Sequence, residues 1–268
     1  FIEGNYQTAE PGLIFWGTMS KYSPSNYVGK PIICTNPCAE VPLEDGGACN
    51  LGSLNLSCFI ENGYEANAKI NLDQLAESTA ILIRFLDNVV TWNEDLNALE
   101  KQRVAASETR RLGLGIMGIA DMLNQLGIGY DSKEGIKIIA KVMEFITNAA
   151  YQASASLAAE KGASPIYSEE EYMECPFMKT ALSNETQSLI RENGIRNIAI
   201  MSIAPTGSIS NIVKGIQVEG KNYIGVSGGV EPIFALYYTR RTESFKENEF
   251  YNVFHSTIQA FIDKMGLE

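Results

Sequence analysis

Two long stretches carry apolar residues at helical spacing, and short β-branched runs lie before, between and after them. No other feature constrains the possible folds as strongly. From Asn71 to about Ala106 the positions Leu75, Ala80, Leu82, Ile83, Phe85, Leu86, Val89 and Val90 follow helical spacing, with Asn71 or Asp73 available as a cap. This predicts one long helix. "SKEGIKIIAKVMEFITNAAYQASASLAAEKG" opens on Ser132 and closes on Gly162, the start and stop of a second. A shorter helix is expected in "NETQSLIRENG", and a final amphipathic one in "ENEFYNVFHSTIQAFIDKMG".

Between them, "KPIICTNPCAEV" reads as a strand halted at Asn36-Pro37, because proline cannot donate to a ladder and pushes the residue before it out of helical geometry. Gly46-Gly47 reads as a turn, followed by a strand through Leu51, Leu54 and Leu56. "RRLGLGIMGIADMLNQLG" suggests a buried strand or tight loop running into a helix. "IRNIAIMSIAPTGSISNIV" suggests a buried strand, a loop of phosphate size and a helix start, and "GGVEPIFALYYTRRT" another strand. Residues 1–30 read as mostly loop with one short helix. Strands alternating with long helices predict an α/β architecture with parallel pairing.

A chain of 268 residues with 45% hydrophobic content can bury a substantial core. The net charge of −11 argues against a nucleic-acid partner, since such binding rests on Lys and Arg neutralising phosphates. No apolar run reaches the roughly 20 residues that span a bilayer, and no secretory signal opens the chain. The expectation is a soluble, cytoplasmic protein without a membrane or nucleic-acid partner. The start at Phe1, without methionine, and the stop at Glu268 suggest a piece of a longer polypeptide.

Four of the five cysteines, Cys34, Cys38, Cys49 and Cys58, fall within 25 residues, while Cys175 stands alone. They lack the paired short spacings of a zinc site, so no metal is expected. A cysteine nucleophile needs a base, and the single histidine, His255, sits far along the chain in the last expected helix, where packing or solvation suits it better. A thiyl radical needs no base, only shielding and a substrate hydrogen within reach. On an extended loop Asn36, Cys38 and Glu40 would share one side. A turn in which Asn36 caps and Glu40 is solvated explains the same spacing. "APTGSIS" offers backbone N–H groups ahead of a helix start, suited to an anion or to an ordinary turn.

"NPCAEVPLEDGGACNLGSLNL", "RRLGLGIMGIADML", "APTGSIS" and "GGVEPIFALYYTRR" resemble, in order, segments of ribonucleotide reductases, especially the adenosylcobalamin (vitamin B12)-dependent class II enzymes. The resemblance implies a ten-stranded α/β barrel, of which residues 1–268 would form one incomplete catalytic domain: the finger loop (35–48) plus most of the second half, with a phosphate-binding loop at 204–211. It implies that Cys38 is the thiyl-radical residue, Glu40 the acid/base at the 3′-hydroxyl, Asn36 a hydrogen-bond partner of the substrate hydroxyls and Cys49 one of two redox thiols. It assigns the substrate phosphates to Ala204, Pro205, Thr206, Gly207, Ser208, Ile209 and Ser210. Partners so implied are a ribonucleotide, the remainder of the polypeptide with the second redox thiol, a thioredoxin-like reductant and a second copy in a homodimer. Alone, the piece should not turn over. Cys34 and Cys58 are expected to be small buried hydrophobes, and Tyr237-Tyr238 to pack within a strand rather than relay a radical. Residues 214–223 read as an insertion of either covering or hairpin form. The rival readings are a metal-radical class I reductase and a non-catalytic nucleotide-phosphate- or zinc-binding module.

Overall fold

A computed structural model describes residues 1–233, 235–243 and 248–267. In chain order the elements are α1 (Ile2–Thr8), α2 (Trp16–Tyr22), β1 (Ile32–Thr35), β2 (Pro42–Glu44), β3 (Asn50–Asn55), β4 (Ile60–Glu61), β5 (Lys69–Ile70), α3 (Leu72–Asn93) and α4 (Glu100–Thr109). There follow β6 (Leu112–Met117), α5 (Ile119–Gln125), α6 (Lys133–Lys161), α7 (Glu169–Met173), α8 (Pro176–Ala181) and α9 (Asn184–Asn193). The last part holds β7 (Lys214–Val218), β8 (Lys221–Ile224), β9 (Tyr237–Glu243), β10 (Asn248–Phe254) and α10 (Ser256–Met265). The chain is thus mixed α/β, and the strands form two-stranded sheets (β1-β2, β3-β6, β4-β5, β7-β8, β9-β10), none of them closed. Among the described residues no helix is long and apolar enough to cross a membrane.

The chain folds into two compact units, the first comprising Phe1–Asn50, Arg84–Gly113 and Tyr151–Ser202, and the second Leu51–Ile83, Leu114–Ala150 and Ile203–Glu268. In the first unit Tyr151, Tyr172, Cys175, Met178 and Ile190 are buried, and the Tyr172 hydroxyl donates to the Ile198 carbonyl at 2.9 Å. Here Asp87, wholly buried, accepts from Arg110 Nε at 2.9 Å, Asn197 Nδ2 at 3.0 Å and Arg196 Nε at 3.2 Å. Burial alone would raise the Asp87 carboxyl; the hydrogen bond and charge of Arg110, with Asn197 and Arg196, outweigh it and hold it below the usual range. In the second unit Leu56, Ile116, Ile119, Met122 and Val142 border one small apolar gap, and Gly118, at φ 71, turns β6 into α5.

Several expectations hold locally. α6 has the predicted ends: the Ser132 hydroxyl accepts from Gly135 N–H at 2.9 Å, and Gly162 follows at φ 89. All six residues of β6 are buried. Segment 214–223, for which two forms were open, is a hairpin whose two turn residues, Glu219 (φ 51) and Gly220 (φ 82), both take positive φ, the twist that suits a two-residue connection.

Others are corrected. The single helix from Asn71 to about Ala106 is two, α3 and α4. Between them Glu94 N–H and Leu96 N–H turn back onto the Thr91 and Asn93 carbonyls, and Asn97 Oδ1 takes Leu99 N–H at 3.0 Å, so side-chain and turn bonding displaces the helical ladder. The last expected helix is half strand: Asn248–Phe254 pairs antiparallel with β9, and only Ser256–Met265 is helical. The start of that stretch at Glu247, and Phe234 of "GGVEPIFALYYTRR", lie outside the described residues. Parallel pairing is not what the short ladders show, since β1-β2, β4-β5, β7-β8 and β9-β10 are all antiparallel. The segment entering β6 does run alongside 198–199 in the same direction, through Ile198 N–H to Thr109 O and Leu112 N–H to Ala199 O. The N-terminal 30 residues hold two short helices instead of one, and α7 and α8 were not anticipated.

Candidate functional site

The loop between β1 and β2 is a hairpin tip closed by one residue. Asn36 N–H donates to Val41 O at 3.3 Å, Val41 N–H to Asn36 Oδ1 at 3.0 Å and Ala39 N–H to Asn36 O at 3.0 Å. Val41 is buried and anchors the return. Residues 37 and 38 form a turn and Ala39 takes φ 65, a left-handed conformation that costs a residue with a Cβ about 1 kcal/mol or more. The loop is therefore not extended, and the alternation that would set Asn36, Cys38 and Glu40 in a row does not operate. Cys38 is exposed at the tip. Asn36 is half-buried and serves the loop itself. Glu40 is half-buried, and its Oε2 is buried without a hydrogen-bond partner, so it is not the solvated carboxylate of the turn reading.

The same hairpin delivers Cys49. Its sulfur is half-buried and meets the charges of Arg111, Glu40 and Glu44. Burial pushes the thiol up to about 12; Arg111 pulls the other way, and the two carboxylates add to the rise. Cys49 and Glu40 are thus brought into one electrostatic neighbourhood. Cys34 and Cys58 are exposed, contrary to the expectation of burial, and Cys58 sits on a single turn of 3₁₀ helix rather than a strand. Among the described residues no group of three or more His, Cys, Asp or Glu is disposed to hold a metal ion.

Ala204–Ser210 belongs to the second unit. It is not followed by an α-helix but by a three-residue 3₁₀ turn, Ile209–Asn211, and then β7, so a helix dipole has little part in it. Backbone N–H groups remain: those of Gly207 and Ser208 make no backbone hydrogen bond among the described residues, and a Cβ at Gly207 would meet open space. Thr206 is the unusual member. It takes φ 55, rare for a β-branched residue, while its buried hydroxyl has no partner. Gly229, at φ 106, presses on it so closely that a Cβ there would fall 2.3 Å from Thr206 Oγ1 and 2.5 Å from the Pro205 carbonyl. Gly229 is itself held, its carbonyl accepting from Gly118 N–H at 2.8 Å.

Behind this loop Asp121, fully buried on α5, accepts from Ser227 N–H at 2.9 Å and lies 2.9 Å from His255 Nε2. His255 is the cap of α10, its Nδ1 accepting from Thr257 N–H at 3.2 Å, which leaves Nε2 as the nitrogen beside the carboxylate. Burial raises the Asp121 carboxyl, but His255 and Ser227 together hold it low. Of the two expected roles the histidine is the buried, packed one, at the cap of α10 instead of within the helix. Tyr237 packs, as expected, on Phe254 (ring centroids 4.9 Å apart), and its hydroxyl donates to Asn252 at 3.1 Å.

Sequence reasoning missed Glu44, Arg110, Arg111 and Asp121. A signal was present for the arginines: two adjacent cations leading into a wholly apolar strand must be paired if they are buried with it.

Fold and site together define a mixed α/β protein that presents thiols and a buried carboxylate on a hairpin loop. The family described as ribonucleotide reductase, barrel domain, matches residues 1–267. The chain is 37% identical over 248 residues to a vitamin B12-dependent ribonucleoside-diphosphate reductase of Thermoplasma acidophilum, covering 92% of this chain and 28% of that protein. It is 35% identical over 231 residues to a protein of the same name from Mycobacterium tuberculosis, covering 86% of this chain and 28% of the relative. With the ribonucleoside-diphosphate reductase subunit alpha of Chlamydia pneumoniae it shares 32% over 254 residues, covering 85% and 22%. The chain belongs to the ribonucleotide reductase barrel-domain family, and it spans less than a third of the length of these relatives.

Proposed function

We propose that this chain is the finger loop and most of the second half of a ten-stranded catalytic barrel, a single incomplete domain of an enzyme that reduces ribonucleoside diphosphates to 2′-deoxyribonucleotides. The observation that carries the reading is on one hairpin: Glu40, with a buried and unpartnered carboxylate oxygen, lies two residues from Cys38 and in the same charge environment as Cys49. Cys38 itself is exposed in this piece, so in this reading the shielding its radical needs comes from the rest of the protein. The open sheets and the names of the relatives support it.

In this reading a Cys38 thiyl radical takes the 3′ hydrogen of the ribose and Glu40 accepts the 3′-hydroxyl proton, which eases departure of the 2′-hydroxyl as water. Asn36 hydrogen-bonds the sugar hydroxyls. Cys49 and a second thiol from the rest of the protein give up two electrons and two protons and end as a disulfide, which a thioredoxin-like protein then reduces. Backbone N–H groups of Ala204–Ser210 receive the phosphates. Adenosylcobalamin, when bound, supplies the radical; the exposed sulfur of Cys38 leaves an approach open to it, and no residue described here is assigned to holding the corrin.

Serine variants in the intact protein test the assignment. Cys38→Ser should lose exchange or abstraction of the 3′ hydrogen and retain substrate binding; Cys49→Ser should still form a radical and yield no deoxynucleotide under multiple turnover. Normal product formation by either variant sinks that residue's role. Stoichiometric zinc on the purified protein, held by the clustered thiols, would replace the reading with a zinc module.

A further inference from the structure

Glu44 ends β2 and Arg111 immediately precedes β6; their side chains are only 3% and 4% exposed. Arg111 Nη2 and Nε reach Glu44 Oε2 at 2.5 and 3.0 Å, Thr109 Oγ1 donates to Glu44 Oε1 at 2.9 Å, and Nη2 also donates to Ser25 Oγ at 3.0 Å. Both carboxylate oxygens are engaged. Against this carboxylate lies the turn that leads to Cys49. Gly47 N–H donates to the Glu44 carbonyl at 2.9 Å, and a Cβ at Gly47 would fall 2.9 Å from that carbonyl and 3.1 Å from Glu44 Oε1. Gly46, at φ 76, backs onto Lys101, where a Cβ would stand 3.0 Å from Cγ, and Lys101 pairs with Asp45 at 2.7 Å. The turn therefore has one seat, with Glu44 on one side and Lys101 on the other.

We infer that the buried Glu44–Arg111 pair is a positioning device for Cys49: it seats the Gly46–Gly47 turn that delivers the sulfur, and it fixes which charges the sulfur faces. Neither residue touches substrate in this account. The consequence for turnover rests on the reading of Cys49 as a redox thiol; the consequence for the sulfur itself does not. Three charged groups meet the thiol, Arg111 as the cation and Glu40 and Glu44 as anions, so the two members of the pair act on it with opposite sign. A merely structural pair would give two variants with the same defect.

The test measures iodoacetamide alkylation of Cys49 against pH, by mass spectrometry on the intact protein, beside steady-state turnover. Glu44→Gln should move the alkylation profile to lower pH and Arg111→Gln to higher pH, each by about one unit, a tenfold change in thiolate at fixed pH. Arg111→Lys keeps the charge and loses the forked contact; it should leave the profile in place and lower kcat with KM unchanged. If Arg111→Gln does not fold, Glu44→Gln and Arg111→Lys carry the comparison. Shifts of the same sign in the two glutamine variants, no shift in Glu44→Gln, or a displaced profile in Arg111→Lys would overturn the inference. Opposite shifts together with full turnover by Cys49→Ser would leave it standing and remove the redox role of Cys49 instead.

Discussion

Asp87 shows how much can rest on one side chain. It has no access to solvent and collects the Arg110 and Arg196 guanidinium groups and the Asn197 amide, residues that lie 23, 109 and 110 positions away. Removing the charge leaves the buried Arg110 to the partly exposed Glu94 and takes this carboxylate from Arg196 and Lys161. Asp87→Asn should destabilise the intact protein by about 3–5 kcal/mol, read as a lowered midpoint in urea unfolding. The exchange of Asp87 for Leu alone would be no milder, because the arginines would remain. Such a network was beyond the reach of sequence reading: nothing local distinguishes Asp87 from any other polar residue on an amphipathic helix. At the β1–β2 tip the halt at Asn36-Pro37 was legible because its closure is local, Asn36 to Val41, whereas the turn at 37–38 and the positive φ of Ala39 that break the alternation were not.

Elements were legible where capping chemistry and periodicity agreed. In α6 the apolar stripe, Ser132 and Gly162 all give the same boundaries. Where periodicity stood alone it misled: the stripe of α3 carries on in spacing past Asn93, but Asn97 and its neighbours offer the backbone better partners than the helix does. "FYNVF" alternates as a strand does, and the helical pattern of the residues after it hid that. Two predictions belong to this scale. Gly229→Ala must place a methyl against Thr206 and Pro205 from a backbone at φ 106, so it should displace the Ala204–Ser210 loop; on the phosphate-binding role proposed for that loop, isothermal titration of the intact protein with a ribonucleoside diphosphate should show at least a tenfold loss of affinity with the fold retained by circular dichroism. At the β7–β8 turn, Glu219 adopts φ 51, which asparagine tolerates better; Glu219→Asn should raise thermal stability by an amount equivalent to about 0.5 kcal/mol, measured by calorimetry.

For the molecule as a whole, the buried carboxylates and the half-buried Cys49 thiol bound the pH range of stability from opposite sides. Asp87 and Asp121 are both held below their unfolded values, so their contribution is complete above about pH 4 and is lost as the pH falls through their folded values, where the unfolded chain binds more protons. Cys49 is raised, so its contribution is complete below about pH 8.5 and declines as the pH rises toward 12. Denaturation midpoints against pH should therefore form a plateau between these limits; a midpoint still rising as pH falls through 4 would contradict the carboxylate assignments. Burial, with the two carboxylates beside it, raises the Cys49 thiol and so disfavours its anion at neutral pH. Peroxide attacks sulfur mainly in that anionic form. The half-buried seat beside two carboxylates therefore slows oxidation of this sulfur.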